Sequence, residues 1–169
     1  MEKQIVVRFM AEVNQQSVNS LISLMESKIQ QGIMKFRILI SSPGGQVFYG
    51  ISAYNFLKGL NLDLETFNFG SVDSIATVIY CSGSKRLCVP NARFLLHGVA
   101  WGGQGNFEEK QLKEYLKGLE IDRENIAKII AQNCNKTQEG IEKAMFDGTT
   151  FNPQQAKEFG LVHEISENL

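Results

Sequence analysis

Phe36-Arg37-Ile38-Leu39-Ile40-Ser41-Ser42-Pro43-Gly44-Gly45 is an apolar, strand-like run cut off by a turn. A helical pattern follows from about 49 to 57, with Gly59 near its end. A buried-looking strand feeding a helix through a short turn is the unit of an α/β fold. The same order recurs on both sides. Upstream, residues 5–10 read as a strand. Asn14 is a plausible N-cap for a helix whose apolar residues Val18, Leu21, Ile22, Met25 and Ile29 fall at helical spacing before Gly32. Downstream, 64–69 reads as a strand and 75–80 as a helix, with 86–89 and 93–97 as further strands. The longest helical stretch runs from 107 to about 133, with Leu112, Leu116, Leu119, Ile126, Ile129 and Ile130 on its apolar face. A short helix spans 139–145. Another starts at Pro153 behind the cap Asn152 and stops at Gly160, and 161–165 reads as a last strand. Repeated strand–helix–strand order predicts a mostly parallel sheet with right-handed crossovers, in one domain over 1–169.

The composition narrows the function. The apolar fraction is 43% and the charged fraction 21%, ordinary for a globular chain. Seventeen basic residues against eighteen acidic ones leave a net charge of −1, so no nucleic-acid surface is expected. Cys81, Cys88 and Cys134 are odd in number and lack a C-x-x-C spacing, so neither a disulfide framework nor a metal site is expected. Buried free thiols in a reducing compartment are the plain reading. Residues 1–4 run straight into the first strand without a signal-peptide pattern, and no apolar run approaches a membrane span. The expectation is a cytoplasmic protein without a membrane partner.

Three segments carry candidate chemistry. Ser42-Pro43-Gly44-Gly45 lets the backbone turn sharply and present N–H groups to a developing oxyanion; its plain alternative is a tight strand-to-helix turn. In Gly70-Ser71-Val72-Asp73-Ser74-Ile75-Ala76, Ser74 opens an apolar helix and the Ile75 N–H sits at its positive end. The alternative is an ordinary helix-start serine, with Asp73 as N-cap. His97 closes the strand after Pro90-Asn91-Ala92-Arg93 and is one of only two histidines. A serine hydroxyl needs a base to become a nucleophile, so Ser74 and His97 together would form a usable pair. The glycine-rich Gly102-Gly103-Gln104-Gly105 beyond reads either as an open segment along which an extended substrate could pair or as a surface loop.

At these residues the chain resembles the ClpP family of serine peptidases, within the ClpP/crotonase fold, in order from about Ile5 to the C-terminus. Ser42-Pro43-Gly44-Gly45 with Gly50 resembles the family's turn, and Gly70 to Ala76 its nucleophile segment. Pro90 to His97 resembles its general-base segment, Gln104-Gly105 its peptide-binding segment, and Gln155 to Val162 its closing helix. The resemblance implies repeated β-β-α units with a parallel sheet and a long protruding handle helix. It implies Ser74 as nucleophile, His97 as general base, and the N–H groups of Gly45 and Ile75 as oxyanion donors. Gly44, Gly103, Gln104 and Gly105 would contact a peptide or unfolded-protein substrate. No cofactor is implied. A homo-oligomeric ring, with the long helix between stacked rings, is.

The chain also departs from the pattern. The family's third catalytic residue is an aspartate, and its position holds Gly148; Asp147 lies one residue away, and Thr149 is the alternative orienter. This predicts a slow or specialised hydrolase, or an inactive scaffold subunit. Asp73 stands where the family usually has a small residue. The segment that family members use at an axial entrance toward a ring ATPase has no counterpart in residues 1–4, which argues against such a partner. His163, where relatives often carry aspartate, reads as a non-catalytic surface histidine. Crotonase-type acyl-CoA chemistry shares the fold, but the Ser74/His97 pair argues against it.

Overall fold

The computed structural model describes residues 4–169, so the expectation that no entrance segment precedes the first strand falls in part outside the described residues. Strand β1 (Gln4–Met10) leads through helix α1 (Gln15–Gln30) to β2 (Lys35–Ser42), and α2 (Val47–Gly59) leads to β3 (Asp63–Asp73). Then come α3 (Ala76–Tyr80), β4 (Lys85–Cys88), β5 (Arg93–Leu96) and the long α4 (Glu109–Cys134). The chain closes with α5 (Gln138–Asp147), β6 (Thr149–Phe151), α6 (Pro153–Phe159) and β7 (Glu164–Ile165). The main sheet has the order β1-β2-β3-β4-β7, and every one of its pairings is parallel.

The caps read from the sequence are present. Asn14 Oδ1 accepts from the Ser17 N–H at 2.9 Å while Ser17 Oγ accepts from the Asn14 N–H at 3.1 Å, a capping box that starts α1. Asn152 caps α6 in the same way, and Gly160 ends it at φ 94°. The inward faces of these helices close the core: Val18, Leu21 and Met25 from α1, Ala53 and Leu57 from α2, and all five residues of α3 are buried. Among the described residues no helix is long and apolar enough to cross a membrane.

β3 departs from the expected strand in a way that builds the site. It does not stop at 69 but continues through Gly70 to Asp73. While β2 advances from Ile40 to Ser42, β3 advances from Asn68 to Val72, so the strand bulges away from the sheet. Its last β4 partner is Cys88, opposite Asn68; from Ser71 onward it pairs with β5 instead. Asn68, fully buried, staples this change of partner. Its amide donates to the Arg93 carbonyl at 2.8 Å and its carbonyl accepts from the Gly70 N–H at 3.0 Å.

The expected apolar face of α4 is buried only near its C-terminus, at Ile126, Ala127, Ile130, Ala131 and Cys134. Leu112, Leu116 and Ile121 stay 51%, 58% and 46% exposed, so the first half of the helix protrudes from the body. The final strand is shorter than expected: Leu161 and Val162 are buried in the turn that follows α6.

Candidate active site

Ser74 lies where the displaced end of β3 turns into α3. Its N–H donates to the Leu95 carbonyl at 2.8 Å and its carbonyl accepts from the Thr77 N–H at 3.0 Å. Its φ is 57°, in the left-handed region that non-glycine residues seldom occupy. Strain of this kind at a sharp strand-to-helix turn holds a side chain out toward a ligand. The Asp73 cap reading is overturned. Asp73 belongs to β3, and its carboxylate accepts from Ser71 Oγ and Arg93 instead of from the helix, which has no side-chain cap.

The turn at 43–45 packs directly against Ser74. A Cβ on Gly44, at φ 90°, would sit 2.6 Å from the Ser74 Cβ, and one on Gly45, at φ 147°, would sit 2.3 Å from the Val13 carbonyl oxygen. Only glycine allows both approaches. The turn is held by Val13, whose N–H donates to the Gly44 carbonyl at 2.7 Å and whose carbonyl accepts from the Gln46 N–H at 2.8 Å. Among the described residues, neither the Gly45 nor the Ile75 N–H donates to a protein acceptor.

His97 is the first residue beyond β5. Its Nδ1 lies 2.8 Å from the Gly98 carbonyl. A carbonyl only accepts, so Nδ1 carries a proton, and it is the neutral ring with its lone pair on Nε2 that a general base requires. Gly45, Ser74, Ile75 and His97 line one cavity of about 160 Å³. Its remaining walls are mostly apolar, built from Val47, Leu96, Val99, Ile126, Ile130 and Met145.

The other expected residues stand apart. The Asp147 carboxylate pairs with Lys143 Nζ at 2.6 Å, and the Thr149 hydroxyl donates to the Ala144 carbonyl at 2.8 Å; neither is bonded to His97. The register Leu96↔Thr149, carried one residue further, sets Gly148 across from His97. Gly103, Gln104 and Gly105 lie exposed in the irregular segment before α4 and do not line the cavity. That segment is tied to the long helix by Trp101, stacked on Tyr115 with centroids 4.3 Å apart. All three cysteines are buried, and burial pushes Cys88 up to about 11. Sequence reasoning missed Asn68 and the Ser71–Asp73–Arg93 contacts. Only the β3–β5 register reveals them, although the opposite charges of Asp73 and Arg93 were a visible clue.

Comparison with known proteins assigns the chain to a family. A family profile described as Clp protease matches residues 1–169. The chain is 27% identical over 169 residues to an ATP-dependent Clp protease proteolytic subunit from Streptococcus sanguinis (strain SK36), covering 98% of this chain and 86% of that one. It is 30% identical over 160 residues to the protein of the same description from Mesostigma viride, covering 94% of this chain and 68% of that one. The match spans the sheet, the strained serine turn and the protruding helix alike, and the chain belongs to the Clp protease family.

Proposed function

We propose that the protein is a serine peptidase that cleaves peptides or unfolded segments, with Ser74 as nucleophile and His97 as general base. The observation that carries this reading is the cavity shared by Ser74, His97 and the unpartnered amides of Gly45 and Ile75. His97 Nε2 takes the Ser74 proton as Oγ attacks the scissile carbonyl, and the two N–H groups receive the oxyanion. The imidazolium then protonates the departing amine. Water, deprotonated by the same nitrogen, hydrolyses the acyl-enzyme. Val47, Ile126, Ile130 and Met145 suit an apolar side chain beside the cleaved bond. The Gly98 carbonyl holds the imidazole in the required tautomer but stabilises an imidazolium less than a carboxylate would, so turnover is slow.

The protein works as a homo-oligomeric ring, stacked through α4. The exposed Leu112, Leu116 and Ile121 on that helix, with Phe146 at 89% exposed nearby on α5, support burial by further copies. Free, buried cysteines fit the cytoplasm.

A second reading is a catalytically weak or inactive scaffold subunit. It is favoured by the engagement of Asp147 with Lys143 and of Thr149 with Ala144, which leaves His97 without a carboxylate partner among the described residues. Turnover of a panel of fluorogenic peptides with an apolar residue before the cleaved bond separates the two. The peptidase reading expects measurable hydrolysis that drops by about 10³-fold or more in Ser74→Ala and His97→Ala. Equal background rates for wild type and both variants, in folded protein, favour the scaffold.

A further inference from the structure

We propose that Arg93, acting through Asp73 and Ser71, is a positioning residue that holds Ser74 in its left-handed attacking geometry; this rests on the reading of Ser74 as nucleophile. Asp73 immediately precedes Ser74 and is only 6% exposed. A carboxylate this deep is unfavourable unless both oxygens are satisfied. They are. Oδ1 accepts from Ser71 Oγ at 2.7 Å and Oδ2 accepts from Arg93 Nη2 at 2.5 Å. Arg93 Nε donates to Ser71 Oγ at 3.2 Å, so the hydroxyl receives from the guanidinium and gives to the carboxylate. The three side chains form a closed triangle in which the hydroxyl's one proton goes to Asp73.

This triangle spans the β3–β5 ladder, which consists only of Ser71↔Arg93, Val72↔Phe94 and Asp73↔Leu95. Beyond the ladder, Ser74 is tied to β5 by its single N–H bond to Leu95. A three-pair ladder on a strand displaced from its sheet is a weak anchor for a residue at φ 57°. The side-chain triangle supplies a second anchor on the same strand end. Arg93 does not line the cavity, and its side chain is 57% exposed. Its action therefore runs through Asp73: it fixes the backbone that aims Ser74 and neutralises the carboxylate one residue before it. The fork matters, because a lysine ammonium would meet Asp73 without also holding Ser71 in the same plane.

The test uses the full chain and reads two quantities: the rate constant for fluorophosphonate labelling at Ser74, and kcat and KM for a fluorogenic peptide. Arg93→Gln is expected to lower the labelling rate and kcat by about tenfold or more while KM stays within about twofold. Arg93→Lys should recover part of the loss. Adding Asp73→Asn to Arg93→Gln should also recover part, because no unpaired buried charge is then left. Wild-type labelling rates in both Arg93→Gln and Arg93→Lys would overturn the proposal while leaving Ser74 as nucleophile. An unlabelled wild-type chain would remove that reading and the proposal together. If Arg93→Gln fails to fold, Ser71→Ala decides: it keeps the ion pair and opens the triangle, so a fall in kcat at unchanged KM supports the proposal and an unchanged kcat overturns it.

Discussion

At the residue scale, the strength of the proposed catalyst is tested at Gly148. It ends α5 at φ 66°, across from His97, and a Cβ there would meet nothing within 4 Å. The resemblance read from the sequence assigns an aspartate to this position. Aspartate tolerates the left-handed region better than most residues, at a cost on the order of 1 kcal/mol. Gly148→Asp is therefore expected to raise kcat for peptide hydrolysis by about tenfold or more and to lower the melting temperature slightly. An unchanged or lower kcat in folded protein would show that His97 is oriented sufficiently by the Gly98 carbonyl. Ser74 and His97 stood out in the sequence because a glycine-marked turn sets Ser74 before an apolar run, while His97, one of two histidines, closes a strand-like one. The role of Asp73 did not. Its partner, Arg93, becomes a neighbour only once β3 leaves β4 for β5, and a cap is the commoner use of an aspartate before a helix.

At the scale of elements, Arg86 and His163 join β4 to the ends of two helices. Arg86 is 4% exposed and has no carboxylate partner among the described residues. Its guanidinium donates to the carbonyls of Asn133 at 2.6 Å and Leu161 at 2.8 Å, with a longer contact to Gly160 at 3.3 Å, gathering the C-terminal ends of α4 and α6. His163 is exposed, as its sequence reading held, yet it is not isolated. Nδ1 accepts the Arg86 backbone N–H at 3.1 Å, and Nε2 lies 2.8 Å from Arg86 Nη2. Protonation would remove the acceptor and set a cation against the guanidinium. Desolvation, then Arg86 and Lys85, hold its pKa below the usual histidine value. Between that lowered pKa and about 6.5, the unfolded chain binds more protons than the folded one, so stability rises with pH. Acidification from neutrality should therefore lower the denaturant midpoint as pH falls below about 6.5, and the loss should level off below the folded pKa. His163→Gln should flatten this slope. The same slope in the variant would assign it to another group; Glu164, held low by Lys85, titrates in a more acidic range.

At the scale of the whole molecule, the parallel sheet was legible because its strands are apolar runs separated by capped amphipathic helices, whose boundaries depend on local chemistry such as Asn14, Asn152 and Gly160. The bulge in β3 was not, since Gly70 reads locally as a turn and only the competition between β4 and β5 for pairing decides that the strand continues. The protruding half of α4 was likewise hidden: periodicity marks an apolar face without saying whether this chain or another copy covers it. The resulting arrangement brings a serine at the end of one displaced strand and a histidine at the end of its neighbour to the same cavity as two free amides. The most direct test is a crystal structure of the protein after treatment with a fluorophosphonate. The account predicts phosphorus bonded to Ser74 Oγ, its oxygen between the Gly45 and Ile75 N–H groups, and His97 Nε2 facing the adduct. An unmodified Ser74 after exhaustive treatment of folded protein, or an adduct whose oxygen points away from both amides, would contradict it.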